Sequence, residues 1–156
     1  MSEMTESDTQ PQTDPMEQMI CFDLYAASQA FTRAYKPLLE PLGLTYPQYL
    51  VMLNLWARAP LTVGHIGQCV GLESNTLTPL IKRLQDAGLV TRERDPGDER
   101  RVSVALTAKG AALEPKAVHV PAGILAATGM TPKELLALQK QLRALTRGMQ
   151  SAVGQK

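Results

Sequence analysis

The sequence predicts a mainly α-helical fold with one small β-hairpin, and three observations predict it. Residues 61–106 run in the order short helix, tight turn, second helix and basic hairpin. Apolar residues recur at helical spacing on both sides of that stretch, and strand-like alternation is confined to Val90–Arg94 and Val102–Leu106. Helix, turn, helix and hairpin in that order make a winged helix-turn-helix, with helices left over at both ends.

The first helix is expected from about Pro15 or Met16 to Tyr35, because Ile20, Leu24, Ala27, Phe31, Ala34 and Leu38 keep one apolar face; Pro37 should break it. A second stripe adjoins that face, Cys21, Tyr25, Ser28, Thr32 and Tyr35. Cys21 and Tyr35 are fourteen residues apart on one helix, which is about 21 Å along its axis. They cannot touch within one chain. An antiparallel pair of the same helix in a two-fold dimer would bring them together, and Tyr46 at the head of the next helix can join them. The plainer reading of this stripe is an amphipathic boundary with a small apolar cysteine. Gln48 to Trp56 reads as the second helix, with Leu50, Leu53 and Trp56 for the core, closed by Ala59-Pro60.

The supporting helix of the DNA-binding pair follows Thr62, shows Val63, Ile66 and Val70 on one face and stops at Gly71. The next helix opens at Ser74, read as its N-cap, and buries Leu77, Leu80, Ile81 and Leu84. Its other face holds Asn75, Thr76, Thr78, Lys82 and Arg83, with hydroxyl and amide groups leading and cations behind, a composition suited to a DNA major groove. Pro79 is read as early enough to be tolerated. After Gly88 the hairpin turns at Asp95-Pro96-Gly97-Asp98-Glu99, flanked by Arg94, Arg100 and Arg101. Asp98 and Glu99 are expected to hold those arginines in position.

Thr107 is expected to cap a helix through Ala111, Leu113 and Val118, bent by Pro115 and ended or kinked by Pro121. Thr131-Pro132-Lys133-Glu134 combines an N-cap, a proline at the first helical position and a capping-box glutamate. The helix it starts carries Leu135, Leu138, Leu142, Leu145 and Met149, a heptad-like seam too apolar for a lone surface helix. Residues 15–37 and 107–150 are therefore expected to be dimerisation helices within one domain spanning 15–150.

Composition sets the remaining bounds. A chain of 156 residues that is 44% hydrophobic suffices for one soluble domain with a core, and no run of it suits a bilayer or a secretory signal, so cytoplasm is expected. Two cysteines do not make a disulfide scaffold. The net charge of +1 looks poor for a DNA binder until the tail is set apart. Residues 1–14 hold Glu3, Glu6, Asp8 and Asp14 without a basic residue, so the remainder is +5, and this acidic tail is expected to be disordered.

Several stretches together resemble a known family, the MarR-type regulators, and within it the organic hydroperoxide sensors called OhrR. These are Cys21-Phe22-Asp23-Leu24-Tyr25, Tyr35-Lys36-Pro37-Leu38-Leu39, Leu42-Gly43-Leu44-Thr45-Tyr46-Pro47-Gln48-Tyr49, Thr76-Leu77-Thr78-Pro79-Leu80 and Arg94-Asp95-Pro96-Gly97-Asp98-Glu99-Arg100. The resemblance implies a homodimeric repressor on an inverted-repeat operator, released when an organic hydroperoxide oxidises Cys21. It also implies that Tyr35 and Tyr46 of the partner subunit hydrogen-bond the sulfur, with Phe22 and Tyr25 lining the pocket. No cofactor or metal is called for. Many members have a second cysteine in the C-terminal half, but the region 123–128 has none, and Cys69 reads as a buried small residue. An external low-molecular-weight thiol is then the expected resolving group. Asn75 stands where the family often has glycine.

Three other readings compete. A peroxidase would use the same cysteine catalytically. His65 and Cys69, four apart on one helix, could begin a metal site. A repressor induced by a bound phenolic or drug-like ligand would need no redox step.

Overall fold

The structure is a computed structural model and describes residues 14–154. The acidic tail lies almost wholly outside the described residues. Seven helices are found among them, α1 (Ile20–Leu39), α2 (Tyr46–Arg58), α3 (Val63–Val70), α4 (Ser74–Asp86), α5 (Ala108–Ala117), α6 (Val120–Thr128) and α7 (Pro132–Val153). Strands β1 (Leu61–Thr62), β2 (Val90–Asp95) and β3 (Asp98–Leu106) form one antiparallel sheet in the order β1-β3-β2. No helix among the described residues is long and apolar enough to cross a membrane.

Local chemistry explains most boundaries. Capping boxes are complete at Thr45/Gln48 and Thr131/Glu134, where each threonine side chain accepts from the backbone N–H three residues on and each partner side chain accepts in return. Thr62 and Thr107 cap α3 and α5 in the same manner with one bond each. The helix-turn-helix corner is made by Gly71, whose φ of 68° ends α3 in a conformation that residues with a side chain rarely adopt.

Prolines behaved differently from expectation. A short 3-10 turn at Pro15–Gln18 precedes α1, which starts only at Ile20 and runs through Pro37 to Leu39. Proline deprives the Arg33 carbonyl of its helical donor, but Arg33 is exposed, and the residues beyond are drawn inward by the core that buries Leu39. Pro121 opens α6 in its first turn, where a missing N–H costs little, instead of ending the helix before it. Pro115 sits inside α5, and Val118, expected on the apolar face, is exposed beyond its end.

The core joins α2, α3, α4 and the sheet. Ile66, Leu77, Ile81, Leu84, Val90 and Val104 pack with Val51, Met52 and Leu55. On α2 the buried face is Tyr49, Val51, Met52 and Leu55, while Leu53 is exposed and Leu50 and Trp56 lie at the margin. Of Leu50, Leu53 and Trp56, expected for the core, Trp56 packs against it and Leu53 does not, because α2 is apolar around most of its circumference and spacing does not select one side. Leu61 and Thr62 also form a third strand, paired with Val104 and Ser103, that a two-residue pattern does not announce. Gly123 lets α6 lie against α1, since a β-carbon there would come within 2.8 Å of a Leu38 methyl.

Candidate functional site

The outward surface of α4 is built as expected, with Ser74, Asn75, Thr76, Thr78, Pro79, Lys82 and Arg83 all exposed over a buried leucine and isoleucine face. Two details change. Glu73, not Ser74, occupies the N-cap position, so Ser74 is the first helical residue. Pro79 is then the sixth, past the turn whose N–H groups lack partners, and it leaves the Asn75 carbonyl without its helical donor. That carbonyl belongs to an exposed residue at the leading end of the helix. Lys82 Nζ lies 3.9 Å from Asp86, a surface pair one turn along.

The wing is a twisted ribbon in which Val90, Arg92 and Arg94 face Leu106, Val104 and Val102, with a register shift after Arg94. Asp98 and Glu99 do not clamp arginines as expected. Asp98 Oδ1 accepts from the Arg100 backbone N–H at 3.1 Å, and Asp95 Oδ1 accepts from that of Gly97 at 2.8 Å. Short carboxylates reach the nearest turn amides first, which fixes the turn and leaves the cations free. Among the described residues the one ion pair is Lys82–Asp86, so Arg94, Arg100 and Arg101 have no carboxylate partner there. Between α4 and the wing is a groove of about 340 Å³ lined by Ser74, Thr78, Arg92, Arg100 and Arg101 among others.

The second candidate region divides along α1. At its C-terminal end the Tyr35 and Tyr46 rings lie 4.5 Å apart, Tyr49 follows at 5.9 Å from Tyr35, and Trp56 at 6.3 Å from Tyr49. Trp56 Nε1 donates to the Gly110 carbonyl at 2.9 Å, tying this aromatic row to α5. Burial, with Tyr46 and Tyr49 adding to it, pushes the Tyr35 phenol above its ordinary value, so it stays a protonated donor. Tyr35 and Tyr46 open onto a groove of about 680 Å³ whose walls include Phe31, Ile124, Leu135 and Leu142. Sequence reading left Tyr49 out of the sensor pocket and gave Trp56 only to the core, although Tyr49 is about one turn and Trp56 about three turns on from Tyr46 along α2.

At the other end of α1, Cys21 is exposed, as are Phe22 and Tyr25, the last at 63%. One chain therefore keeps the sulfur apart from the Tyr35–Tyr46 pair, as the helix length requires. Cys69 departs from expectation, being exposed on α3 instead of buried, with its Sγ 4.0 Å from Arg58 Nη2. Helical spacing put it beside Val70, but the buried face of α3 is centred on Ile66, and Cys69 is turned off it. His65 is exposed as well, and among the described residues no group of three or more His, Cys, Asp or Glu is placed to hold a metal.

Comparison with known proteins gives the family. Residues 33–114 match the family described as transcriptional regulator SarA/Rot. The organic hydroperoxide resistance transcriptional regulator of Bacillus subtilis (strain 168) is 45% identical over 130 residues, 83% of this chain and 88% of that protein. The chain belongs to the MarR family, in its OhrR subgroup. This regulator is thus a DNA-binding, winged-helix transcription factor, and its relatives are regulators, not enzymes. AbfR, from Staphylococcus epidermidis, shares the fold in two states. Reduced AbfR bound to DNA superposes with a TM-score of 0.71 at 33% identity, covering 83% of this chain and 91% of that one. Overoxidized AbfR bound to DNA gives 0.70 at 35% identity over the same shares.

Proposed function

We propose that this regulator is a homodimeric, cytoplasmic repressor that holds an inverted-repeat operator when reduced and lets it go when an organic hydroperoxide oxidises Cys21. The observation that carries the reading is the division of α1. Two phenol groups, Tyr35 and Tyr46, are gathered at one end, and burial raises the Tyr35 phenol above its ordinary value. The thiol stands uncovered at the other, with Phe22 and Tyr25 beside it. An antiparallel pairing of α1 with its copy places each end against the opposite one, so dimerisation assembles the sensor from both chains. In the single 15–150 domain, α1, α5, α6 and α7 then serve the dimer, and residues 61–106 serve DNA.

The chemistry follows from those groups. Phenol O–H groups aimed at sulfur favour thiolate over thiol, and the thiolate attacks one oxygen of the peroxide. The O–O bond breaks, the far oxygen leaves as alkoxide and takes a proton to become the alcohol, and Cys21 becomes a sulfenic acid. A low-molecular-weight thiol then displaces water to form a mixed disulfide. The adduct adds bulk inside the tyrosine pocket and drives the dimer out of its DNA-binding shape. On DNA, Ser74, Asn75, Thr76, Thr78 and Pro79 meet base edges in the major groove, Lys82 and Arg83 meet phosphates, and the wing arginines Arg94, Arg100 and Arg101 reach the minor groove or its rim.

A second reading is supported by the groove beside Tyr35 and Tyr46, whose volume of about 680 Å³ lies within the range of small-molecule sites. In it, a phenolic or drug-like ligand induces release without oxidation. Operator binding by wild type and Cys21→Ser, with and without cumene hydroperoxide, separates the two. The expected result is release by peroxide in wild type and none in Cys21→Ser, with equal affinity before treatment. Tyr35→Phe should keep the affinity and slow the response. Peroxide release that survives Cys21→Ser would rule out the sulfur-based reading.

A further inference from the structure

The wing carries a cation that the docking surface described so far does not use. Arg92 shares a sheet face with Val90 and stands opposite Val104, so its stem runs inward across the sheet toward α4, and the residue is half-buried. There its Nε donates to Gln85 Oε1 at 2.9 Å. Gln85 follows Ser74, Thr78 and Ile81 at steps of four, three and four, so it lies on the face of α4 that looks at the wing. A neutral amide aligns a guanidinium without cancelling its charge, and a bond at Nε leaves both terminal nitrogens with hydrogens to donate. No carboxylate among the described residues pairs with Arg92.

We propose that Arg92 clamps a phosphate of the DNA backbone and that Gln85 is the positioning residue that aims it. The inference rests on the docking proposed above, with α4 in the major groove and the hairpin at the minor groove. Adjacent grooves of a duplex are separated by one sugar-phosphate strand. A protein that occupies both must straddle that strand, which has to cross the saddle between α4 and the wing. That saddle is the groove of about 340 Å³ lined by Ser74, Thr78, Arg92, Arg100 and Arg101. A guanidinium fork suits the paired oxygens of a phosphate. In sequence Arg92 and Arg94 alternate identically, whereas in the fold Arg92 is half-buried, lines the groove and bonds Gln85 while Arg94 is exposed.

The test is operator affinity as a function of salt for wild type, Arg92→Met, Gln85→Ala and the double variant, with Arg100→Ala in parallel. Arg92→Met keeps an apolar stem over the sheet, and its melting temperature checks the fold. It should weaken binding to the operator and to an unrelated duplex alike, and lower the salt slope by about 0.9 for each phosphate no longer neutralised, hence about two units in a symmetric dimer. Gln85→Ala should weaken binding roughly two- to tenfold for each half-site, the scale of one hydrogen bond per subunit, in the native background and not at all beside Arg92→Met. Should Arg92→Met melt below the assay temperature, Arg92→Lys carries the test, retaining the slope while becoming insensitive to Gln85→Ala. An unchanged slope in Arg92→Met, or an unchanged sensitivity in Arg92→Lys, overturns the clamp if Arg100→Ala still flattens the slope. If Arg100→Ala also changes nothing, the docking itself is wrong. Equal losses for Gln85→Ala in both backgrounds would remove Gln85 from the positioning role.

Discussion

In the DNA-binding half, Ile66, Leu77, Ile81, Val90 and Val104 each find apolar partners within one chain and are closed to solvent. The terminal helices do the opposite. Ile20 is 67% exposed and Met149 61%, Phe31, Leu142 and Leu145 stand open, and α7 buries no residue along its length. The difference teaches that one chain completes the module that reads DNA but not the module proposed to sense peroxide. Long apolar seams with nothing of their own chain over them mark a partner surface, and the proposed homodimer supplies the cover.

The sharpest way to break this comparison is to damage each half in turn. Ile81→Ala should cost the lobe about 2–5 kcal/mol, the range for truncating a buried aliphatic side chain, as measured by urea unfolding. Leu145→Glu should hardly move that unfolding transition yet yield monomers in sedimentation, with operator binding abolished because a monomer holds a single half-site. A Leu145→Glu protein that stays dimeric would place the interface elsewhere.

The next effect concerns sulfur. Cys69 is exposed on the self-sufficient half, and Cys21 on the half that needs a partner. Cys69→Ser should answer peroxide like wild type when a small thiol is present, and mass spectrometry should find one thiol adduct, on Cys21. A Cys21–Cys69 disulfide as the main product of brief treatment would join the two halves chemically and end the one-cysteine reading.

A smaller effect should appear at alkaline pH. Tyr35 and Tyr49 are both raised, by burial first and then by neighbouring tyrosines. The folded state therefore disfavours phenolate. Its advantage is complete below the ordinary tyrosine value near 10 and is lost as pH rises through the higher folded values. Melting followed together with tyrosinate absorbance should show this loss, and Tyr35→Phe should reduce it. The smallest effect belongs to the start of α7, where the Thr131 backbone N–H and hydroxyl both donate to Glu134 and hold its carboxyl below the usual range. That support is present above the ordinary carboxylate range and fades as pH falls through the lowered folded value. Amide exchange in the first turn of α7 should quicken accordingly, with less pH dependence in Glu134→Gln.

What the sequence by itself determined lies within about one helical turn of its own residues. Thr45 with Gln48, Thr131 with Glu134, Gly71 at the corner and the Asp95–Glu99 turn could all be read because capping and turn bonds join residues two to four apart. The separation of Cys21 from Tyr35 was equally legible, since helix rise is constant. Tertiary structure alone decided which side of α2 is buried, that Cys69 is exposed, that α1 passes through Pro37, that Leu61–Thr62 joins the sheet, and that Arg92 meets Gln85. Each of these depends on what packs against an element. Periodicity reports that an apolar face exists, but a helix that is apolar most of the way round, or a cation alternating along a strand, acquires its role only from the neighbour brought to it by the fold.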